Sequence, residues 1–276
     1  MLVTDLYYGS SPQLAGSWTS YTIAVISTNR AMKYLDLTLP SPAENLACDE
    51  ALLDWREEAG DEAILRFWES SEPFVVVGYA NAIEAEVNVP NCKEKHIPIY
   101  RRCSGGGTVL QGRGCLNYAL ILRIEADSPL AGISGANKFI MERNREAIQS
   151  VAGKELSVQG HTDLAFGARK FSGNSQRRHK NFLLFHGTFL LNFDLTLVGD
   201  VLKFPSRQPD YRINRSHGDF LMNLDLPAVT VKAALQKVWK ADLPLENPPL
   251  ERVSKLAREK YATPEWNQKF STLKTV

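Results

Sequence analysis

The chain has 276 residues, with 32 Lys plus Arg against 31 Asp plus Glu and a net charge of +1. That length supports one large domain or two modest ones, and so balanced a charge gives no global field toward nucleic acid or an anionic membrane. No apolar run approaches the roughly 18–20 residues of a membrane span, and no basic, apolar leader opens the chain. The four cysteines, Cys48, Cys92, Cys103 and Cys115, form no C-x-x-C pair and are too sparse for a disulfide scaffold. They read as the thiols of a reduced, cytoplasmic protein.

Residues 1–31 are rich in Ser, Thr, Gly and Tyr without a sustained period, and read as an N-terminal extension, with Met32 a candidate true start. A strand is expected at Tyr34–Thr38. Ser41-Pro42-Ala43-Glu44 opens a helix: Ser41 caps it, Pro42 suits the first position and Glu44 completes a capping box. Gly60 stops that helix. Strands follow at Ala63–Trp68, Phe74–Val77 and Ile97–Arg101, and another spans Leu116–Ile124. A helix is expected over Ser134–Val151, then a hairpin-like pair at Ala168–Ser175 and Phe182–Leu191. Helices at about 194–203, 228–240 and 249–260 close the chain. Without regular βαβ alternation, this order predicts an α+β fold of mixed sheets with packed helices.

Three constellations carry chemistry. In Arg101-Arg102-Cys103-Ser104-Gly105-Gly106-Gly107-Thr108-Val109, the glycines let backbone N–H groups approach an anion, and two arginines can fork onto phosphate or carboxylate. A tight turn beside surface arginines is the plainer alternative. In Gly167–Ser175, Lys170 stands between apolar neighbours. It is either a partly buried cation facing an anion or a surface lysine before a turn. In Phe185-His186-Gly187-Thr188, the break in an apolar strand suggests a bulge or a close backbone approach. A hydrogen-bonded structural histidine explains it as well. The five histidines show no zinc spacing, and there is no G-x-S-x-G.

In this order the motifs resemble the lipoate–protein ligase A catalytic domain and its lipoyl and octanoyl transferase relatives. The family pattern is an Arg-Arg-x-Ser-Gly-Gly-Gly-x-Val loop, a Lys-x-Ser-Gly strand and a His-Gly-Thr-Leu-Leu strand. Here these are Arg101–Val109, Lys170–Gly173 and His186–Leu191, the last with Phe189 inserted. Asn45–Glu50, Trp68, Val77–Asn81 and Thr162-Asp163-Leu164 add smaller matches. The resemblance implies a class II biotin- and lipoate-ligase fold over 32–267, followed by a tail at 268–276. The small accessory domain that follows Tyr261–Asn267-like junctions in bacterial ligases is expected to be absent.

The resemblance implies that lipoate and ATP give lipoyl-adenylate, whose acyl group passes to a carrier-domain lysine. Lys170 is then the catalytic residue, touching acyl carbonyl and α-phosphate. Arg101, Arg102 and the loop Ser104, Gly105, Gly106, Gly107, Thr108, Val109 and Leu110 hold the nucleotide, with Asp163, Ser172 and Gly173. Asp163 is also the candidate Mg²⁺ contact. Trp68, Val77, Gly78, Lys170, His186, Gly187 and Thr188 line the acyl slot. The implied partners are a lipoyl domain of 2-oxoacid dehydrogenase subunits or a glycine-cleavage carrier protein, and a separate accessory polypeptide.

Where the family has His-Asp and then Gly-Asn-Leu-Asn, this chain has Gln111-Gly112-Arg113-Gly114-Cys115-Leu116-Asn117. The octanoyl transferases act through a cysteine thioester, near the position of Asp163 in one branch and beyond the His-Gly strand in another. This chain has no cysteine after Cys115. The expectation is therefore a ligase, with two alternatives: a transferase without its own adenylation step, and a non-catalytic binding subunit of a two-protein ligase.

Overall fold

The computed structural model describes residues 32–205 and 207–271. The N-terminal extension and the last five residues of the expected tail lie outside the described residues. Eleven strands are described: β1 (Lys33–Asp36), β2 (Ile64–Trp68), β3 (Phe74–Val77), β4 (Ile99–Arg101), β5 (Val109–Gln111), β6 (Cys115–Arg123), β7 (Ser157–Gln159), β8 (Asp163–Phe166), β9 (Arg169–Arg178), β10 (Phe182–Leu190) and β11 (Leu243–Pro244). Eight form one mixed sheet in the order β11-β1-β2-β6-β10-β9-β8-β7, and three form a second sheet, β4-β3-β5. β1 runs parallel to β11 and β2, and the rest of the large sheet is antiparallel.

The helices are α1 (Pro42–Ala59), α2 (Ile83–Glu86), α3 (Val89–Glu94), α4 (Ile133–Ala152), α5 (Thr196–Val201), α6 (His217–Phe220), α7 (Ala228–Trp239), α8 (Leu250–Leu256) and α9 (Pro264–Asn267). The capping box of α1 is formed: Ser41 Oγ accepts from Glu44 N at 3.2 Å, and a Glu44 carboxylate oxygen accepts from Ser41 N at 3.0 Å. The central strands are covered on both faces, so their apolar runs are continuous. Along β6, Leu116, Tyr118, Leu120 and Leu122 join α4 and α7 in one core, while Ala119 and Ile121 join α1 and α8 in another. The same two-residue alternation divides β10 between Leu183, Phe185 and Phe189 on one side and Phe182 and Leu184 on the other. The small sheet packs with α2, α3 and α5 in a third core.

The expected hairpin is β9 and β10, paired antiparallel from Leu183 opposite Arg178 to Phe189 opposite Ser172. The helix expected over 194–203 is shorter, Thr196–Val201, and just before it the Asp194 carboxylate accepts from Thr196 N at 3.0 Å. The helix expected over 249–260 changes character after Leu256, where Ala257–Tyr261 forms a π turn. None of the described helices is long and apolar enough to cross a membrane.

Two glycines let the loops around the second sheet cross. Gly106 has φ +86°, and a Cβ on Gly78 would sit 2.1 Å from the Gly106 carbonyl oxygen. That neighbour is backbone and cannot swing away. Gly78→Ala is therefore expected to cost about 1–3 kcal/mol in urea unfolding and to displace the glycine loop.

Candidate active site

A cavity of about 940 Å³ is walled by residues of both sheets, by α1 and by the segment between α5 and α6. From the first constellation, Arg102 and Gly106 through Leu110 reach the wall. From the second come Lys170, Ser172 and Gly173, and from the third His186, Gly187 and Thr188. Trp68 and Asp163 join them. The structure thus gathers most of the expected site into one space, and leaves Arg101, Ser104, Gly105, Val77 and Gly78 out of its lining.

Each displaced residue has a physical reason. Arg101 is fully buried and spends its guanidinium on main-chain carbonyls. Nη1 donates to Gly78, Tyr79 and Asn81 at 3.0, 2.9 and 2.8 Å, and Nη2 donates to Asn267 at 3.0 Å. Nε reaches Trp266 and Asn267 at 3.1 and 3.2 Å. This arginine is a clamp joining the loop after β3 to α9, its guanidinium turned to main-chain carbonyls. Residues 263–267 are therefore part of the domain's construction. Val77 points into the third core, and period-two geometry gives the cavity Val76 instead. Gly78 serves the loop crossing. Ser104 is held by a neighbouring histidine, and the Gly105 carbonyl accepts from Arg102 and from Ser175 Oγ.

Arg102 is the opposite of Arg101. Its Nε donates to Ser104 Oγ and Gly105 O, both at 3.1 Å, and its Nη2 to Gly105 O and Gly107 O at 2.5 and 2.7 Å. No carboxylate among the described residues pairs with it, and Nη1 has no partner there. Burial pulls its guanidinium down to about 10. A buried cation bound only by neutral oxygens, with a free N–H edge on a cavity, is built to receive an anion.

Lys170 stands across the cavity. Its Nζ is 2.8 Å from Asp163 Oδ1, and Tyr211 donates its hydroxyl to Asp163 Oδ2 at 2.8 Å. Burial first, and then the Asp163 charge, push the Tyr211 hydroxyl far up, so it stays a donor. Both carboxylate oxygens of Asp163 are thus engaged. Among the described residues no group of three His, Cys, Asp or Glu could hold a metal ion. In this arrangement Asp163 is the counter-ion of Lys170 and the anchor of Tyr211; as a Mg²⁺ contact it would be the one carboxylate beside a nucleotide's phosphates. Lys170 keeps two of its three N–H donors for a ligand.

A buried polar chain lies behind the glycine loop. Ser104 Oγ is 2.6 Å from His186 Nε2, and His186 Nδ1 is 3.0 Å from Asp49 Oδ2. Asp49 Oδ1 takes Arg66 Nη1 at 2.5 Å. Burial alone would raise the Asp49 carboxyl, but Arg66 and His186 together hold it below the usual carboxylate range. At the other end, Gln111 Nε2 donates to Thr188 Oγ1 at 2.7 Å, and that hydroxyl donates to Asn117 Oδ1 at 2.6 Å. The sequence reading missed Asp49, Arg66, Tyr211 and Asn117 as site residues. A charged pair inside the apolar α1 and β2 patterns was the one signal available for the first two. Tyr211 carried no local signal at all.

All four thiols are buried, from 0% exposure at Cys48 and Cys115 to 3% at Cys103, and none lines the cavity. Burial pushes the Cys103 thiol up to about 12 and the Cys115 thiol higher still. Thiols so placed are protonated and inert. The folded protein is expected to resist a maleimide and to take up four equivalents once unfolded, counted by intact mass.

The model of the lipoyl protein ligase A/B catalytic domain matches residues 41–240. The chain belongs to that family. It is 27% identical to octanoyltransferase LipM of Bacillus subtilis over 272 residues, covering 86% of this chain and 98% of that protein. It is 29% identical to lipoate-protein ligase A subunit 1 of Thermoplasma acidophilum, covering 81% of this chain and 90% of that one. Among solved structures, the archaeal bipartite lipoate protein ligase of T. acidophilum, described with its E2 lipoyl domain, superposes with a TM-score of 0.72 at 26% identity. The match covers 90% of this chain and all of that one. A lipoate-protein ligase A bound with ATP gives 0.71 at 25%, covering 87% and 99%. The fold is therefore the α+β lipoate-ligase fold. The family joins ligases and transferases of lipoyl and octanoyl groups, and the chain is an enzyme of that kind.

Proposed function

We propose that the chain is a lipoate–protein ligase catalytic domain. It activates lipoate with ATP as lipoyl-adenylate and passes the acyl group to a lysine of a lipoyl carrier domain. The observation that carries this reading is the pairing of a thiol-free cavity with an uncompensated buried cation. A thioester route needs a reachable thiolate, and the four cysteines are buried away from the cavity. An adenylation route needs two anions, a carboxylate and a triphosphate, brought together against their repulsion. Arg102 and Lys170 supply the cations in advance.

In the first step a carboxylate oxygen attacks the α-phosphorus and pyrophosphate leaves. Arg102, with the N–H groups of the Gly106–Leu110 backbone, holds phosphate oxygens. The two free donors of Lys170 bridge the acyl oxygen and the α-phosphate, while Asp163 keeps that ammonium aimed. In the second step the carrier lysine attacks the acyl carbonyl and AMP leaves. Trp68 and Val76 shelter the acyl tail, each methylene contributing about 0.8 kcal/mol on burial. The carrier is proposed to be a lipoyl domain of a 2-oxoacid dehydrogenase subunit or a glycine-cleavage carrier protein. A separate accessory polypeptide is proposed as a second partner, since the Thermoplasma ligase named above is bipartite.

Lipoate-dependent exchange of pyrophosphate into ATP tests the reading, with the chain alone and with an accessory subunit of a bipartite ligase added. Exchange in either condition supports it, and silence in both overturns it. The likeness to octanoyltransferase LipM favours one second reading, a transferase fed with a preformed acyl donor. That reading expects acyl transfer from an octanoyl thioester without ATP. The altered stretch Gln111–Cys115 motivates the binding-subunit alternative, which expects ATP and lipoate to bind and never react.

A further inference from the structure

The buried chain behind the glycine loop has a direction. Arg66 is fully buried and fixed from three sides. Its Nη1 donates to Asn45 O at 2.9 Å and to Asp49, and its Nη2 donates to Asn45 Oδ1 at 2.8 Å and Leu37 O at 3.2 Å. With one Asp49 oxygen taken by Arg66, the other faces His186 Nδ1. A carboxylate is an acceptor only, so Nδ1 carries the proton. In the neutral ring Nε2 is then bare and accepts from the Ser104 hydroxyl at 2.6 Å. That leaves the Ser104 lone pairs facing Arg102 Nε, which donates to them at 3.1 Å. Each bond sets the polarity of the next, from α1 to the guanidinium on the cavity wall.

We infer that His186, oriented by Asp49, is a positioning residue that acts through Ser104 to aim Arg102 and the glycine loop at the anion. This rests on the reading of the loop as the nucleotide's seat, and departs from the placing of His186 as an acyl contact. Three features support it. Ser104 is 1% exposed and outside the cavity lining, so it acts through its neighbours. The Ser104 carbonyl also accepts from Tyr79 N at 2.8 Å, so its position fixes the crossing at Gly78 as well. Arg102 has no counter-ion to orient it, and the Ser104 hydroxyl is the sole side chain that bonds it among the described residues. Reversing the His186 tautomer would set a bare Nδ1 against the Asp49 carboxylate and leave the ring unfixed behind Ser104.

Two measurements test this. The first is the ring ¹⁵N spectrum of His186 in the ligand-free protein. A protonated Nδ1 and a bare Nε2 are expected, and the opposite tautomer or a protonated ring at pH 7.5 would overturn the relay. The second is calorimetric titration of ATP, inorganic pyrophosphate and lipoate into wild type, His186→Gln, Ser104→Ala and the double variant. Each single change is expected to weaken ATP and pyrophosphate about tenfold, the loss of one aligning hydrogen bond. Lipoate affinity should stay within about twofold, and the double variant should be no worse than either single one. Full additivity, or a loss confined to lipoate, would place His186 directly against the acyl group and overturn the inference. The ring spectrum does not involve nucleotide. A wild type that binds neither ATP nor pyrophosphate would sink the nucleotide reading along with the role given to Arg102, while the spectrum alone still judges the relay's polarity.

Discussion

Replacing Lys170 with Met is expected to cut lipoate-dependent adenylation by about 10²–10³-fold, the usual effect of losing one preorganised donor to developing charge. Thermal unfolding should barely move, because the ammonium is partly exposed and its ion pair is a single bond at 2.8 Å. Lys170→Arg is expected to fail nearly as badly. The Lys170 Nζ lies 2.6 Å from where a Cβ on Gly173 would stand, so the lysine passes over a bare backbone with no room for a wider head group. An exchange assay with both variants checks this, and activity near wild type in either would remove Lys170 from its proposed role. Tyr211→Phe belongs to the same cluster. It frees one Asp163 oxygen to draw Lys170 closer, and a smaller loss is expected, about tenfold.

The two adjacent arginines should part company on mutation. Arg101→Met strips donors from five carbonyls and undocks α9, at an expected cost of about 3 kcal/mol or more. For a domain of this size that lowers the melting temperature by about 6–12 °C. Arg102→Met should cost far less stability, because it also removes a buried charge that no carboxylate offsets. Its effect falls on affinity: ATP binding should weaken by about 10–100-fold, the worth of a charge-assisted bond. Paired melting and titration experiments would show one variant unstable and the other stable but weak. The reverse pattern would make Arg102 the clamp and Arg101 the anion seat.

That contrast also marks what was legible in the sequence. The motif Arg-Arg-x-Ser-Gly-Gly-Gly named an anion-binding loop, yet nothing local tells its two arginines apart. Strand alternation sends one side chain toward α9 and the other toward the cavity, and only the register of β4 against β3 decides which. Val76 and Val77 divide for the same reason. The long elements were readable because their signals are local: the capping box at Ser41, and the β9–β10 hairpin. The short pieces, α2, α3, α6, α9, β7 and β8, were not, since three to six residues carry too little periodicity to outweigh tertiary context. Lys170 and His186 stood out through apolar neighbours, but their partners Asp163, Tyr211 and Asp49 come from 7 to 137 residues away. Distances of that kind are set by sheet order, which no spacing in the sequence encodes.

Activation of the acid by this chain as an adenylate is what separates a ligase from a transferase. The most direct measurement uses lipoate with both carboxylate oxygens ¹⁸O-labelled, together with ATP, an apo lipoyl domain and the protein. AMP is collected after turnover and weighed by mass spectrometry. If the carboxylate attacks the α-phosphate and the carrier lysine then displaces AMP, one ¹⁸O atom enters each AMP formed, in step with one lipoyl group on the carrier lysine. Lipoylation or octanoylation that proceeds with no AMP, or with unlabelled AMP, would contradict it and make the chain a transferase that receives its acyl group already activated.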